Sequence, residues 1–370
     1  MRDFKLKYTK FTDVQIYFYK WLKVYLDTDG EFMKMVLKTA AVYIGLVIGA
    51  GFASGREVME YFNIISSVNP TGILAAAFLF MLTAYMIGAK ASEENISSFD
   101  EYISAVSGRA APFVKYFMLA YMFCGMFVMF SGSGALLYET TAYSSVWGAA
   151  AMAAVCFLVI SFDLSGVVTL NLVLVPLMIF GICGVCVYSA VFGDVSTFVS
   201  FENTGATVTS AICYASYNTL TSGSVLVPLA HSQKIEDIRR SAVLGGFVIG
   251  LLITMVWTVQ GASFDMLWDS ELPMLTLAAM CGKQCKRLYW AVLFMAICTT
   301  AVSYGFGIMS HFSDRIKTAK DRVLFAAVVC LAALPPALYG FSALVSKLYS
   351  LFGYIGIAWI IWIITDRIRG

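Results

Sequence analysis

The sequence predicts an all-α integral membrane protein, and two observations support this fold class. Hydrophobic residues make up 60% of the 370 residues and charged residues only 13%, which is far from the composition of a soluble domain. The apolar residues also gather in ten stretches, each long enough to cross a bilayer as a helix of about 20 residues. These predicted spans lie at 35–65, 70–89, 113–137, 145–162, 165–192, 206–230, 238–262, 287–311, 322–340 and 343–365.

Lysine and arginine are distributed unevenly between the segments that join the spans. Of the 25 such residues, only Lys283, Lys286 and Arg287 fall in segments that lie outside if the N-terminus is cytoplasmic. The cytoplasmic loops of membrane proteins carry an excess of positive charge. The pattern therefore predicts that both termini are cytoplasmic, as an even number of spans requires.

Residues 1–33 precede the first span and lack the charged-then-apolar layout of a secretory signal. Between Phe11 and Tyr25, apolar residues recur at helical spacing, with charged residues on the other faces. This pattern predicts a helix that lies in the cytoplasmic interface of the membrane. The alternative is a cytoplasmic leader without stable structure, which translation from Met33 would omit.

The first span contains the stretch "GLVIGAGFASGREV", Gly45–Val58, with four glycines followed by an Arg–Glu pair. Glycine weakens a helix, and a charged side chain inside a bilayer is costly. An interruption around Gly49–Gly55 would leave unpaired carbonyls on one half-helix and unpaired amides on the next. Such groups are tolerated in a membrane only where they line a protected polar cavity. The stretch thus predicts a discontinuous first helix beside a binding cavity.

The sixth span, "TSAICYASYNTLTSGSVLVPLA", is polar around Tyr214–Asn218, with Gly223 beyond, and is predicted to be discontinuous as well. Five spans following five give two repeats of opposite topology, at 34–192 and 205–366, each beginning with an interrupted helix. Paired interrupted helices in inverted repeats indicate the binding site of a secondary transporter. The alternative is that the small residues allow close helix packing.

The motif "GAGFASGREVMEYF", near the start of a ten-helix chain, resembles the YkvI-like bacterial membrane proteins over nearly all of residues 33–370. These are similar to the wider amino acid–polyamine–cation superfamily, which is built on the five-plus-five inverted repeat of the bacterial leucine transporter. The resemblance implies a multi-pass protein of the bacterial plasma membrane. It also implies alternating-access transport of a small amino-acid-like solute.

The same resemblance implies a sodium site shared by the first and eighth spans. The carbonyls of Gly45 and Ile48 would come from the first span. The carbonyl of Ala296 and the hydroxyls of Thr299 and Thr300 would come from the eighth span, and together they would form a neutral oxygen cage for a monovalent cation. The alternative is that the threonines bond back to their own helix. The fifth span contains no Lys or Arg that could replace the ion, which favours sodium as the coupling ion.

A solute site next to the cation follows from the resemblance too. The amides of Ala50 and Gly51 would hold a solute carboxylate, faced by polar residues of span six. Tyr121 would donate its hydroxyl, although its alternative role is interior packing. Phe52 stands where relatives carry a second sodium ligand, so a second sodium site is not expected. The predicted solute-binding residues are Gly49, Ala50, Gly51, Ser216, Tyr217, Asn218 and Tyr121.

The charges after the glycines predict an extracellular gate. Arg56 and Glu60 lie one helical turn apart and can form an ion pair, while Glu57 points to another side. Lys347, near the outer end of span ten, would meet Glu57 or Glu60 when the access path closes. The alternative is a static Arg56–Glu60 pair, with the ammonium group of Lys347 reaching the membrane interface.

The outside segment "FDMLWDSELPMLTLAAMCG" is long and partly apolar, which predicts a lid of short helices. In the overlapping stretch "MCGKQC", Cys281 and Cys285 are compatible either with a disulfide or with two free thiols. The sequence shows no metal-ligand cluster, nucleophilic triad or phosphate loop, since "GAGFASG" follows no predicted strand. We therefore expect neither an enzyme nor a resident cofactor.

Three functions remain open from the sequence. The favoured one is a sodium-coupled symporter. The second is a proton-coupled or exchange transporter of the same fold, with Glu57 or Glu60 as the protonation site, and the third is a membrane receptor that binds a ligand without transporting it. The expected partners are a small solute and the lipid bilayer, with no nucleic acid and no obligate protein partner.

Overall fold

The computed structural model describes residues 31–65, 68–162, 171–193, 200–312 and 316–369, and within these ranges the chain is helical without any strand. The all-α prediction is confirmed for this part of the chain. The predicted interfacial helix, over Phe11–Tyr25, lies outside the described residues. The helices are α1 (Glu31–Val47), α2 (Ala50–Ser54), α3 (Arg56–Val58), α4 (Thr71–Glu93), α5 (Phe99–Ser107), α6 (Ala111–Thr141), α7 (Ser145–Ser161), α8 (Asn171–Phe192), α9 (Thr204–Ala230), α10 (Ile235–Ala262), α11 (Phe264–Leu267), α12 (Pro273–Met280), α13 (Lys283–His311), α14 (Ala319–Ala337), α15 (Phe341–Leu344) and α16 (Ser350–Arg369).

Several of these helices are long and apolar enough to cross a membrane. Two shorter apolar helices, Met35–Val47 and Ser145–Ser161, lie at the first and fourth predicted spans. Helices α9 and α14 form where spans six and nine are predicted, but neither is among the helices that are long and apolar enough to cross a membrane. The count of ten spans therefore stays a prediction. The six membrane-spanning candidates are Thr71–Glu93, Phe99–Thr141, Leu174–Phe192, Ile235–Ala262, Lys283–His311 and Phe341–Ile368.

The chain divides into two compact units, which we call unit A and unit B. Unit A contains the described residues of Thr28–Tyr116, Ile179–Lys286 and Val345–Gly370, and unit B contains those of Phe117–Met178 and Arg287–Leu344. Each unit therefore takes residues from both predicted repeats. The residues of the predicted cation site are divided as well, since Gly45 and Ile48 belong to unit A and Thr299 belongs to unit B.

Unit A is organised around α4, α9 and α10. Helix α4 packs against both α9 and α10, α9 packs against α16, and α10 packs against α1. Small residues allow these close approaches. A Cβ atom added to Gly250 would lie 2.7 Å from the Cβ of Ala77, and one added to Gly356 would lie 3.0 Å from the backbone of Ser216.

Unit B contains α7 packed against α14, and the start of α7 lies close to the end of α6. A Cβ atom on Gly134 would lie 2.6 Å from the carbonyl oxygen of Ser145, so the two backbones nearly touch. Helix α14 begins with a capping box, in which Thr318 and Asp321 exchange side-chain and backbone hydrogen bonds. These bonds hold the pKa of the Asp321 carboxyl below its ordinary value.

The predicted interruption of span six is wrong, because α9 is a continuous helix from Thr204 to Ala230. Its polar side chains bond back to the preceding turn of the same helix. Ser216 donates to the carbonyl of Ile212 at 2.6 Å, and the amide of Asn218 donates to the carbonyl of Tyr214 at 3.0 Å. Because Ser216 and Asn218 both find partners along the helix, neither side chain requires the segment to unwind.

The segment between α10 and α13 forms two short helices, α11 and α12, as the predicted lid requires. Cys281, just after α12, and Cys285, in the first turn of α13, are both free thiols. Their side chains are half-buried, and burial raises the pKa of the Cys281 thiol to about 11.

Candidate binding site at the interrupted first span

The first span is interrupted at Ile48 and Gly49, as predicted. Helix α1 ends at Val47, and Gly49 takes an extended conformation with φ −92° and ψ −169° before α2 begins. The Gly49 N–H donates to the carbonyl of Val47 at 3.0 Å, so the carbonyl of Gly45 lacks its α-helical donor four residues on. Helix α2 begins its hydrogen bonding with the Ala53 N–H, which donates to the carbonyl of Gly49 at 2.9 Å. The carbonyl of Ile48 therefore also lies outside the helical pattern.

A second change of direction occurs at Gly55, between α2 and α3. Gly55 has φ +80°, in the left-handed region that favours glycine. Its carbonyl accepts hydrogen bonds from the Met59 N–H at 3.0 Å and from the Gln260 side-chain amide at 2.9 Å. A Cβ atom at Gly55 would lie 2.5 Å from Gln260 Nε2 and 2.6 Å from Met274 Cγ. Both the backbone conformation and the close neighbours therefore require glycine.

The backbone groups freed near this kink are partly satisfied by Ser54. Its hydroxyl donates to the carbonyl of Gly51 at 2.6 Å and accepts from the Arg56 N–H at 3.2 Å. Beyond α3 the chain continues as a π-helical turn over Met59–Asn63, a form that is frequent at functional sites. Asn63 anchors this turn by donating to the carbonyl of Trp257 at 3.0 Å.

Arg56 and Glu60 form the predicted ion pair, with Nη2 and Oε2 separated by 3.1 Å. The other terminal nitrogen of Arg56 lies 3.5 Å from the carbonyl of Ser270, in the segment between α11 and α12. Lys347 is exposed, and within the described residues no ion pair joins it to Glu57 or Glu60. The three-residue gate thus stays a prediction, while the Arg56–Glu60 contact is confirmed.

Glu57 lies inside unit A. The residue is only 6% exposed, and its carboxyl group covers Gly51 so closely that a Cβ there would lie 2.7 Å from Glu57 Cδ. Tyr217 of α9 is close enough to interact with the carboxyl electrostatically. The Glu57 Oε2 atom has no hydrogen-bond partner among the described residues. The structure therefore groups Glu57 with two predicted solute-binding residues, Gly51 and Tyr217.

Three tyrosines surround this carboxyl group and pack on one another. The ring centroids of Tyr61 and Tyr214 are 5.4 Å apart, those of Tyr61 and Tyr217 are 5.7 Å apart, and those of Tyr214 and Tyr217 are 5.6 Å apart. Within the described residues none of the three hydroxyls makes a hydrogen bond of normal geometry, although that of Tyr217 lies near the Glu57 carboxyl and that of Tyr61 lies near Ser350. Sequence reasoning did not assign Tyr61 or Tyr214 to the site. The sequence signal for Tyr61 is its spacing, since residues four apart on a helix, such as Glu57 and Tyr61, lie on the same face.

The other predicted solute-binding side chains are placed elsewhere. Ser216 packs against Gly356 of α16, and the hydrogen-bonding groups of Ser216 and Asn218 are directed along α9. Tyr121, in unit B, is buried and forms an edge-on ring contact with Tyr304 at 6.1 Å. Of the three predicted residues of span six, only Tyr217 contacts Glu57.

Within unit B, the predicted cation ligands of the eighth span lie on α13. Thr299 is buried, and its hydroxyl donates to the carbonyl of Ala296 at 3.1 Å. Thr299 therefore bonds back to its own helix, which is the alternative to a role as a cation ligand. Thr300 is half-buried, and its hydroxyl makes no hydrogen bond within the described residues. Among those residues, no cluster of three or more His, Cys, Asp or Glu side chains could hold a metal ion.

Comparison with known sequences identifies two relatives from Bacillus subtilis (strain 168), although no family model matches the chain. The uncharacterised membrane protein YkvI is 27% identical over 328 residues, which cover 87% of this chain and 93% of YkvI. The protein YyaD is 21% identical over 333 residues, with 87% and 94% covered.

Comparison with solved structures identifies the fold. Mhp1 in its inward-facing conformation superposes with a TM-score of 0.60 at 12% identity, covering 87% of this chain and 73% of Mhp1. A manganese transporter from Eremococcus coleocola gives a TM-score of 0.59 at 12% identity, with 91% and 80% covered. Among these matches, YkvI is a membrane protein and the Eremococcus coleocola protein is a transporter. The predicted resemblance is therefore confirmed: the chain is a homologue of the membrane protein YkvI and shares the fold of Mhp1 and this manganese transporter.

Proposed function

We propose that this protein is a secondary active transporter that carries a small amino-acid-like solute across the bacterial plasma membrane by alternating access. The proposal is carried by the interruption of the first span, which leaves the carbonyl of Gly45 without its helical donor. In a bilayer, such groups are tolerated where they line a polar cavity. Interrupted helices of this kind form the binding sites of secondary transporters.

One further observation supports transport, and another supports the orientation in the membrane. The chain shares its fold with a protein that is itself a manganese transporter. The uneven distribution of Lys and Arg supports an orientation with both termini in the cytoplasm. The proposal includes ten spans in two inverted repeats of five, with residues 34–192 and 205–366 as the repeats. It does not rest on a broken sixth span.

Sodium is the proposed coupling ion. The candidate ligands in unit A are the carbonyls of Gly45 and Ile48, and those in unit B are the carbonyl of Ala296 and the hydroxyls of Thr299 and Thr300. Both sets contain only oxygen atoms, which suits a hard cation. The carbonyls of Gly45 and Ile48 are outside the helical pattern and therefore available. Of the two hydroxyls, that of Thr300 is the more available, because Thr299 already donates to Ala296.

Proton coupling is a second candidate, and the position of Glu57 favours it. The Glu57 carboxyl lies against Gly51, whose amide is proposed to hold a solute carboxylate together with that of Ala50. An ionised Glu57 would repel a second carboxylate at this distance. A solute carboxylate would therefore bind here when Glu57 is neutral.

The test is a thermal-shift screen of the purified protein against amino acids and related small solutes, run in sodium and in potassium salts. A bound solute stabilises the folded state by about 2.7 kcal/mol at a concentration of 100 Kd. Sodium coupling predicts a larger shift in sodium, which Thr300→Ala abolishes. Ser303→Ala is the matched control, because the Ser303 hydroxyl bonds to the carbonyl of Thr299 within the same helix.

Other outcomes discriminate between the alternatives. An equal solute shift in sodium and potassium favours the proton-coupled or exchange transporter. Proteoliposomes that bind the solute but never accumulate it favour a receptor. A folded protein that responds to none of the solutes in either salt contradicts the proposal.

A further inference from the structure

The Glu57 carboxyl is a buried acidic group for which the structure provides no counter-charge. Its residue is 6% exposed, its Oε2 atom has no hydrogen-bond partner, and no ion pair within the described residues includes it. Arg56, the neighbouring cation, directs its terminal nitrogens to Glu60 and to the carbonyl of Ser270. An ionised carboxylate left unpaired in such a place costs many kcal/mol, so the group is neutralised instead.

The side chains that face Glu57 contribute no positive charge. From α9 these are Tyr214 and Tyr217, and from the π-helical turn it is Tyr61. From α2 it is Gly51, which has no side chain. Further titratable groups lie behind these tyrosines: Glu60 and Cys213 face Tyr61, and Tyr349 packs on Tyr217 at 5.0 Å. Apart from Arg56, whose terminal nitrogens are directed elsewhere, each of these described groups is therefore neutral or acidic.

The space around the carboxyl decides between a proton and a metal cation. The Oε2 atom is fully enclosed, and the other side of the carboxyl covers Gly51 without room for a methyl group. A sodium or ammonium ion would need space beside the carboxyl, and neither the enclosed Oε2 atom nor the contact with Gly51 leaves such space. A proton needs neither, and a protonated carboxyl can donate to a phenolic oxygen of the surrounding tyrosines.

We propose that Glu57 is a proton-binding site, with its carboxyl protonated while the segment from α2 to the π-helical turn is packed against α9. When the Glu57 carboxyl moves away from Gly51 and Tyr217, its proton passes to solvent water and the carboxylate becomes hydrated. Proton loading at Glu57 is then linked to movement of the interrupted first span. This deepens the proton-coupled candidate above, but it rests on the side chains of unit A and not on the identity of any solute.

The experiment is infrared difference spectroscopy of the purified full-length protein near neutral pH, comparing wild type with Glu57→Gln. Glutamine keeps the shape of a protonated glutamic acid but cannot titrate. We expect the wild type to show the C=O stretch of a protonated carboxyl, which shifts in D2O and is missing in Glu57→Gln. Glu60→Gln is the control and keeps the band, because Glu60 is paired with Arg56.

A second measurement keeps the proposal testable if the bands overlap. Wild type holds a proton that the unfolded chain releases, so as the pH rises from about 5 towards about 7 its folding equilibrium constant falls by up to about tenfold per pH unit relative to Glu57→Gln. Equal pH dependence in the two proteins, or a band that persists in folded Glu57→Gln, overturns the proposal. Failure of the solute screen leaves this result intact, so the two proposals can fail separately.

Discussion

Gly49 and Gly51 are two positions apart, but only Gly51 lies where a larger side chain would overlap with a neighbouring residue. Gly49 is extended, and a Cβ atom there would have no heavy atom within 4 Å. Gly51 is buried beneath the carboxyl of Glu57. The first glycine thus lies beside open space, whereas the second is a contact surface for an acidic side chain.

We expect Gly51→Ala to destabilise the protein by about 1–3 kcal/mol, because the new methyl group forces the Glu57 side chain out of its position. Gly49→Ala is the matched control and should change stability by less than about 1 kcal/mol, roughly the helix-propensity difference between the two residues. The measurement is thermal unfolding of the detergent-purified variants by tryptophan fluorescence.

Shortening Glu57 should relieve this clash. In the double variant Gly51→Ala/Glu57→Ala, the loss of stability should be smaller than the sum of the two single losses, because neighbouring substitutions are not additive. Additive losses, or equal losses for Gly49→Ala and Gly51→Ala, would show that Glu57 does not lie on Gly51.

Helix α3 is only three residues long, and its direction is set by the Gly55 kink. We expect Gly55→Ala to be strongly destabilising, because it combines the strain of a positive φ, about 1–2 kcal/mol, with overlap on Gln260 and Met274. Met274→Ala separates the two effects, because in the double variant Gly55→Ala/Met274→Ala the overlap with Met274 Cγ is removed while the positive φ remains. Additive losses of stability in the double variant would argue against the crowding at Gly55.

The ends of α4 and α16 are joined by ion pairs within unit A. The Lys90 ammonium lies 2.6 Å from Glu94 and 2.8 Å from Asp366, with its side chain 10% exposed. Arg367 pairs with Glu93 beside it. These contacts join the ends of two helices that are distant in sequence.

Removing the central charge of this network should be costly. We expect Lys90→Gln to lower the free energy of unfolding by about 1–3 kcal/mol, less than for a fully buried pair. Arg239→Gln is the control, because its pair with Glu236 is exposed and is expected to contribute less than about 1 kcal/mol. Denaturation curves in low and high salt check this, since only the exposed pair should be screened. Equal effects of the two substitutions would contradict it.

The interruption at Gly49 could be predicted, because a cluster of glycines in an apolar span has few other physical explanations. The continuity of α9 could not, since Ser216 and Asn218 suit either an unwound segment or a helix that bonds to itself. The Arg56–Glu60 pair followed from helical spacing alone. The contact of Glu57 with Tyr217 depends on how two distant helices are rotated, which the pattern of one chain does not determine.

The orientation of the whole chain in the membrane is open to a direct test. Lys283 and Lys320 are both exposed and lie in segments predicted to be outside and inside, respectively. In a variant with the native cysteines replaced, we expect Lys283→Cys to react with a membrane-impermeant maleimide in intact cells. Lys320→Cys should react only after permeabilisation. The reverse labelling would place both termini outside the cytoplasm.

The carbonyl of Gly55 accepts from both the Met59 N–H and the Gln260 amide. Helix α10 therefore holds the bend of the first span through a bond that is shielded from water. If α3 swings away from α10, that bond must break completely, since a hydrogen bond weakens steeply as its geometry is lost. We expect the bend to have two discrete positions without intermediate ones. The free energy needed to break the Gln260–Gly55 hydrogen bond then contributes to the barrier between them.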